Sequence, residues 1–345
     1  MSATIKEVAR RAGVSIATVS RVLNNVGAVD ERTRLLVSKA VVDLRYVPNP
    51  IGRGLSRQKT EAIGLVLPDL FGEFFSEVIR GADQTAQLHR HHLMVSSSHN
   101  NRAEIEAAIR MMRGRVDGLL IMSPHIDART LRENLPQHLP VVLINAPVEG
   151  DDYDSLNVDN FSGSAAMVQH LLSHGHRHIA LVKGIEDNLD ALERLRGYRH
   201  ALIAGGVECR SEYEIAGNFS EASGFDAARA LLRLNPRPTA VFACNDAMAI
   251  GAMSALREAG VRVPEGIAVA GFDDIPISSY LTPSLSTVHV DINHLGVIAV
   301  ETLLHALAYG NAHRKEHRKI PTSLALRGSC GCPENSQPAL LPLSA

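Results

Sequence analysis

From residue 61 to residue 274 the chain repeats one pattern: a short run of apolar residues, a polar turn, then an amphipathic helical stretch. The first series reads AIGLVLPD, a helix near 74–89, HLMVSSS, a helix near 102–113, DGLLIMSP, PVVLINAP and SLNVDN. The second reads HIALVKG, a helix near 190–204, SEYEIAGNF, a helix near 221–234, TAVFACND, a helix near 246–259, and IAVAGFDD. A strand that is apolar along its whole length must be covered on both faces. Intervening helices supply that cover, so the pattern predicts doubly wound, parallel α/β sheets. The likeness of AIGLVLPD to HIALVKG predicts two similar lobes. In open sheets of this kind, ligands gather beyond the carboxyl ends of the strands. Polar residues stand at five such ends: Asp69, Ser123, Asn145, Asn245 and Asp273. One alone is ordinary loop chemistry, whereas five in equivalent places point to a polar ligand held in a cleft.

The segment 1–60 differs in kind. It carries 11 Lys and Arg against 4 acids, a charge of +7, while the rest of the chain carries 24 basic against 33 acidic side chains, −9. A basic head on an acidic body points to a polyanion as partner for the head alone; a solvated basic helix face would show the same charge. Thr4 with Glu7 three positions later opens a first helix as a capping box, and Ile5, Val8, Ala9 and Ala12 share one face of it. Gly13 can close that helix in a left-handed turn, and Ser15 then caps a second helix running to about Leu23, with Val19, Val22 and Leu23 turned inward. Two short helices joined by such a turn make a helix-turn-helix unit. A third helix is predicted over 30–45, with Asp30 as cap and Val37, Ala40, Val41 and Leu44 facing the core. In YVPNPIGRGLSRQKT, Asn49 and Pro50 suit a helix start, but Gly52 and Gly54 weaken any turn that follows, so composition reads as a linker.

TIKEVARRAGVSIATVSRVLN, followed by YVPNPIGRGLS, resembles the DNA-binding head and hinge of the lactose/galactose-repressor (LacI/GalR) family. The match is dense across these two stretches and continues through weaker motifs to about residue 332. The resemblance implies a helix-turn-helix head (1–47), a hinge (48–60), a two-lobed effector-binding and dimerising body (61–332) similar to periplasmic sugar-binding proteins, and a tail (333–345). It also implies a hinge helix that orders when two subunits meet on an operator, with Leu55 as a wedge in the minor groove. Gly52 replaces the family's usual alanine there. The DNA-contacting set is Thr4, Ser15, Ile16, Ala17, Thr18, Ser20, Arg21, Asn24, Arg53 and Leu55. Within it, Ser15, Thr18 and Ser20 suit phosphate contacts or capping, Ile16 and Ala17 suit thymine methyls, and Arg21 suits a guanine.

Carried over by motif, the effector contacts are Asp69, Phe75, Asp159, Arg194, Phe219, Asn245 and Asp273, to which strand-end position adds Ser123 and Asn145. Asp and Asn accept and donate to sugar hydroxyls, Arg194 offers a planar fork of donors, and Phe219 suits a sugar's C–H face or a purine base. For Phe75 and Phe219 the competing reading is core packing, and Asp274 reads as a support of its loop. A sugar or glycoside is the expected effector, with a purine or nucleoside as the alternative.

Other chemistry finds little footing. No Walker A loop, G-x-S-x-G elbow, H-E-x-x-H motif or strand-borne G-x-G-x-x-G is present, so catalysis is not expected and neither is a cofactor. HRHH at 89–92 and HGHRH at 174–178 invite a metal reading, but no metal site is assigned to them; Cys330 and Cys332 in RGSCGC read as small buried residues near a final strand. The N-terminus lacks a secretory pattern and no uninterrupted apolar run approaches about 18 residues, which gives a cytoplasmic expectation. A solute-binding transport protein would share the body but not the DNA-reading head. An architectural DNA-binding protein would lack the polar cleft. The expected whole is a homodimeric, ligand-responsive transcription regulator, a repressor, on a near-palindromic operator.

Overall fold

The computed structural model describes residues 3–24, 27–46, 59–124, 129, 133–135, 139–147, 152–332 and 341–342. The chain divides into two units, Met1–Thr60 and Glu61–Ala345. In the first, helix α1 (Ile5–Ala12) starts at a complete capping box: Thr4 Oγ1 accepts from Glu7 N at 3.4 Å and Glu7 Oε2 accepts from Thr4 N at 2.7 Å. Gly13, at φ 67°, turns the chain out of the helix in the left-handed region, which costs a residue without Cβ nothing. Helix α2 (Ile16–Asn24) follows, with Ser15 Oγ accepting from Thr18 N at 3.1 Å. Helix α3 (Glu31–Asp43) is capped by Asp30, which accepts from Thr33 N at 2.8 Å. Val8, Ala9, Ala12, Val19, Val22, Val37 and Ala40 form the small core. The third helix ends at Asp43, short of the expected Arg45, which sits at φ 47°. Leu23, Val41 and Leu44 are only half-buried, because three short helices enclose few positions fully. Residues 47–58, among them Arg53 and Leu55 of the expected hinge, lie outside the described residues, as do 333–340 and 343–345 of the expected tail.

In the second unit the elements run β1 (Ala62–Leu67), α4 (Glu73–Leu88), β2 (His92–Ser97), α5 (Arg102–Met112), β3 (Gly118–Met122), β4 (Val141–Ile144), β5 (Asp154–Val158) and α6 (Asn160–Ser173). Then come β6 (Ile179–Val182), α7 (Leu189–Ala204), β7 (Glu214–Ile215), α8 (Glu221–Leu231), β8 (Ala240–Ala243), α9 (Asp246–Glu258), β9 (Ala268–Asp273) and β10 (Ser286–His289). The unit ends with α10 (Ile292–Tyr309), β11 (His317–Ile320), β12 (Ser323–Ala325) and β13 (Leu341–Pro342). One sheet has the order β11-β5-β4-β3-β1-β2, the other β13-β12-β10-β9-β8-β6-β7. All pairings are parallel except β10 with β12 and β12 with β13. Every residue of β1, β3, β4, β6, β8 and β9 is buried, as uninterrupted apolar runs demand.

The two lobes are interleaved rather than consecutive. The chain passes from the first to the second after β5, returns after β10 through α10, which packs on α4 and the first sheet, and crosses once more between β11 and β12. Helix α10 with the turn after it has the length and apolar content of a membrane span, broken by Asn293, His294, Glu301 and His305; here Leu295, Ala299, Val300 and Leu303 are buried inside the first lobe. At the lobes' strand ends the chain folds toward one cleft.

Candidate functional site

The cleft encloses about 660 Å³. Strand ends supply Asp69, Met122, Asn245 and Asp273; α4 supplies Phe74 and Phe75, α7 supplies Asp190 and Arg194, and the loop before α8 supplies Asn218 and Phe219. Its floor is organised by the guanidinium of Arg194, which is 4% exposed. Nε donates to Asn160 Oδ1 at 2.8 Å, Nη1 donates to the Cys244 carbonyl, Nη2 lies 3.2 Å from Asp273 Oδ1, and the plane sits 3.7 Å from the Phe272 ring centroid. A buried arginine is tolerable only with this degree of pairing. Asp273 Oδ1 is buried and makes no aligned hydrogen bond among the described residues, although Arg194 Nη2 adjoins it, and the residue lines the cavity. Its backbone is at φ 113° and Asp274 follows at φ 59°, a strained pair of the sort that gathers at ligand sites.

Asp190 adds a second carboxylate. Asn145 Nδ2 donates to it at 3.0 Å and Asn160 Nδ2 at 2.8 Å. Removal from bulk water pushes Asp190 up to about 6, against the charge of Arg194 and the two amide hydrogen bonds. Burial raises Asp273 to about 7, again against Arg194, with Asp190 adding to the rise. Asp246, behind the cleft, is raised to about 8 by burial and by Asp273; it accepts from Ile275 N at 2.9 Å, Ser278 Oγ at 2.8 Å and Thr287 Oγ1 at 2.5 Å, and so pins the loop after β9. Burial alone would raise Asp274, yet the hydrogen bond from His289 and the adjacent Arg327 hold it below its ordinary value, and it lies in the loop wall outside the cavity lining.

Of the residues singled out from sequence, Asp69, Phe75, Arg194, Phe219, Asn245 and Asp273 line one cavity. Phe219 is held at φ 70° by Asn245, whose Nδ2 donates to the Phe219 carbonyl at 2.9 Å while its Oδ1 caps α9 at Met248 N. Three others do not line it. Ser123 is buried, while its chain neighbours Met122 and Pro124 line the cavity, and its hydroxyl has no hydrogen-bond partner among the described residues. Asn145, at φ 45°, lies behind Asp190, bridging it to Val158 N at 3.0 Å. Asp159 caps α6 at Ser162 N and pairs with Lys319 at 3.3 Å. All three follow strands, but Ser123 and Asn145 are buried in the interior and Asp159 is spent on its helix cap and on Lys319. Asp190 is absent from the sequence-predicted set, although its spacing of four from Arg194 on one helix face offers a signal.

In the head, Ile16 is 44% exposed at the leading end of α2, with Ala17 and Arg21 also exposed and Val19 buried on the opposite side. Ser15 Oγ and Thr18 Oγ1 are 2.9 Å apart, so Ser15 is engaged as the helix cap. Thr4 is likewise engaged in its capping box, and Ser20 is half-buried; the Asn24 side chain lies outside the described set.

A model of the lacI family of bacterial regulatory proteins matches residues 4–49, and a periplasmic binding protein-like domain matches residues 168–330. The ribose operon repressor of Escherichia coli (strain K12) is 35% identical over 330 residues, covering 95% of this chain and 99% of the relative. The chain belongs to the lacI family of bacterial regulatory proteins. The HTH-type transcriptional repressor PurR of Vibrio atlanticus is 36% identical to this lacI-family chain over 320 residues, covering 92% and 94% of the two. The solved Lac repressor dimer bound to operator and the anti-inducer ONPF superimposes with a TM-score of 0.83 at 30% identity, covering 96% of this chain and 99% of that one. The lacI-family protein is thus a ligand-responsive, DNA-binding regulator with a helical head and a parallel-sheet body.

Proposed function

We propose that this regulator is a cytoplasmic repressor that grips a near-palindromic operator as a homodimer and takes a monosaccharide in its cleft. The observation that carries the sugar reading is the polar floor. Arg194, Asp273, Asp190 and Asn245 offer donors and acceptors side by side beneath Phe219, which suits a ligand whose adjacent hydroxyls each donate and accept. The repressor named for the ribose operon, 35% identical, is consistent with this. Closure of the lobes on ligand would alter the geometry from which the hinges emerge and shift the DNA-competent population. A purine is the second reading, favoured by the flat faces of Phe75 and Phe219 and by the PurR relative.

A thermal-shift panel of ribose, galactose, adenine, guanine, hypoxanthine and their nucleosides decides between them. A ligand at 100 times its Kd adds about 2.7 kcal/mol. A shift with a free sugar that disappears in Arg194→Ala supports the proposal; a shift with a purine base alone refutes it.

A further inference from the structure

Away from the cleft, the last turn of α6 and the segment after β12 bring two imidazoles and two thiols together. His170 lies on that turn and His174 caps it, their ring centroids 4.5 Å apart. Opposite them, a turn at Gly328–Cys330 and Gly331 at φ 90° presents Cys330 and Cys332 on one side. The sulfurs are 3.4 Å apart. His170 Nε2 is 3.3 Å from Cys330 Sγ and 3.7 Å from Cys332 Sγ, and His174 Nε2 is 3.9 Å from Cys332 Sγ. A tetrahedral zinc ion with Zn–S near 2.3 Å and Zn–N near 2.1 Å requires edges of about 3.8 Å between sulfurs and about 3.6 Å between sulfur and nitrogen. These four separations lie within about 0.5 Å of that requirement; the ligand atoms of His170, Cys330 and Cys332 all lie within 4.8 Å of one another, and the exposed His174, adjoining Cys332, completes the set by a turn of its ring. All four cysteines of the chain are free, and Ser286 Oγ donates to Cys330 Sγ at 3.0 Å, a contact that also suits a thiolate.

We propose that His170, His174, Cys330 and Cys332 form a site for one thiophilic cation of the zinc class. Two thiolates and two neutral imidazoles neutralise a divalent ion, so the half-buried site carries no net charge. Binding converts two thiols and the cation into a bis-thiolate complex and releases two protons to solvent, with no change of oxidation state. The ion would clip the segment following β12 to the end of α6. The other end of that same helix bears Asn160, the partner of both Asp190 and Arg194. Occupancy is therefore placed to stiffen the helix that carries the cleft floor.

The test uses the full chain, reduced, stripped with a chelator, and titrated with Co²⁺ alone. One equivalent should produce the strong visible bands of tetrahedral cobalt with a sulfur-to-cobalt charge-transfer band, and Zn²⁺ should abolish both. Cys332→Ser and His174→Ala alter half-buried and exposed residues and should fold, as circular dichroism would show; each should weaken Zn²⁺ binding at least tenfold, while Cys209→Ser should leave it unchanged. A weak octahedral cobalt spectrum, uptake that survives in Cys332→Ser, or a Cys330–Cys332 disulfide that persists under reductant without metal uptake would overturn the proposal.

Discussion

Replacing Gly197 by alanine sets two known effects against each other. An alanine inside a helix is favoured over glycine by about 1 kcal/mol, so propensity alone predicts a more stable protein. Gly197, however, packs directly against the backbone of α6. A Cβ there would stand 2.9 Å from Ser164 Cβ, 3.1 Å from Ala165 N and nearer still to the Phe161 carbonyl. Two of these neighbours are backbone atoms, which no rotamer change can move. Overpacking of this kind costs about 1–3 kcal/mol, and with backbone in the way the upper end applies, for a net loss of about 2 kcal/mol. For a body of this size that is a fall in Tm of roughly 3–4 °C. The same seam carries the cleft floor: Ser164 Oγ donates to the Arg194 carbonyl at 2.6 Å and Arg194 Nε to Asn160 at 2.8 Å. Parting the helices by about 0.5 Å weakens both bonds, so ligand affinity should fall at least tenfold, more than stability alone explains. Urea unfolding with and without ligand measures the two effects. A variant that gains stability and keeps its ligand-induced shift would refute the view that this seam fixes the floor.

Arg21→Ala should weaken operator binding by about 1–3 kcal/mol and relax preference at one base pair per half-site, read by binding to operator variants; uniform loss across sequences would assign Arg21 to phosphate. Thr4→Ala removes one side of a capping box and should lower head stability by about 1 kcal/mol, seen as faster amide exchange in α1 with body exchange unchanged. Asp190 and Asp273, raised to about 6 and about 7, hold protons in the folded chain that the unfolded chain has already released from about pH 4 upward. Unliganded stability from these groups is thus full below pH 4 and falls as pH rises toward 7. Hydroxyl donors favour the ionised carboxylates, so sugar affinity should tighten from about pH 5.5 to 8 with proton release, measurable by calorimetry in two buffers; a flat profile would exclude direct contact with these groups.

Sequence made the body's core strands plain because AIGLVL, GLLIM, VVLI and AVFA are apolar throughout, a pattern that only double cover explains. STVH, HRKI and SLA escaped notice because short strands near a sheet edge carry polar residues and no period. In the cleft, the strand-end rule found Asp69, Asn245 and Asp273. It could not tell that Asn145 would turn inward to serve Asp190, since that depends on α7, 45 residues away. The thiol and imidazole cluster was illegible for the same reason: a histidine pair and a Cys-Gly-Cys far apart in the chain become neighbours only when β12 returns beside α6.

The last crossing between the lobes also has a consequence during synthesis. β11 completes one sheet by pairing with β5, β12 extends the other by pairing with β10, and both come after α10 in the chain. A nascent chain released in order from the ribosome therefore carries a head able to fold early and two sheets that each wait, with an open edge, for the same closing segment. Neither lobe is finished before the other.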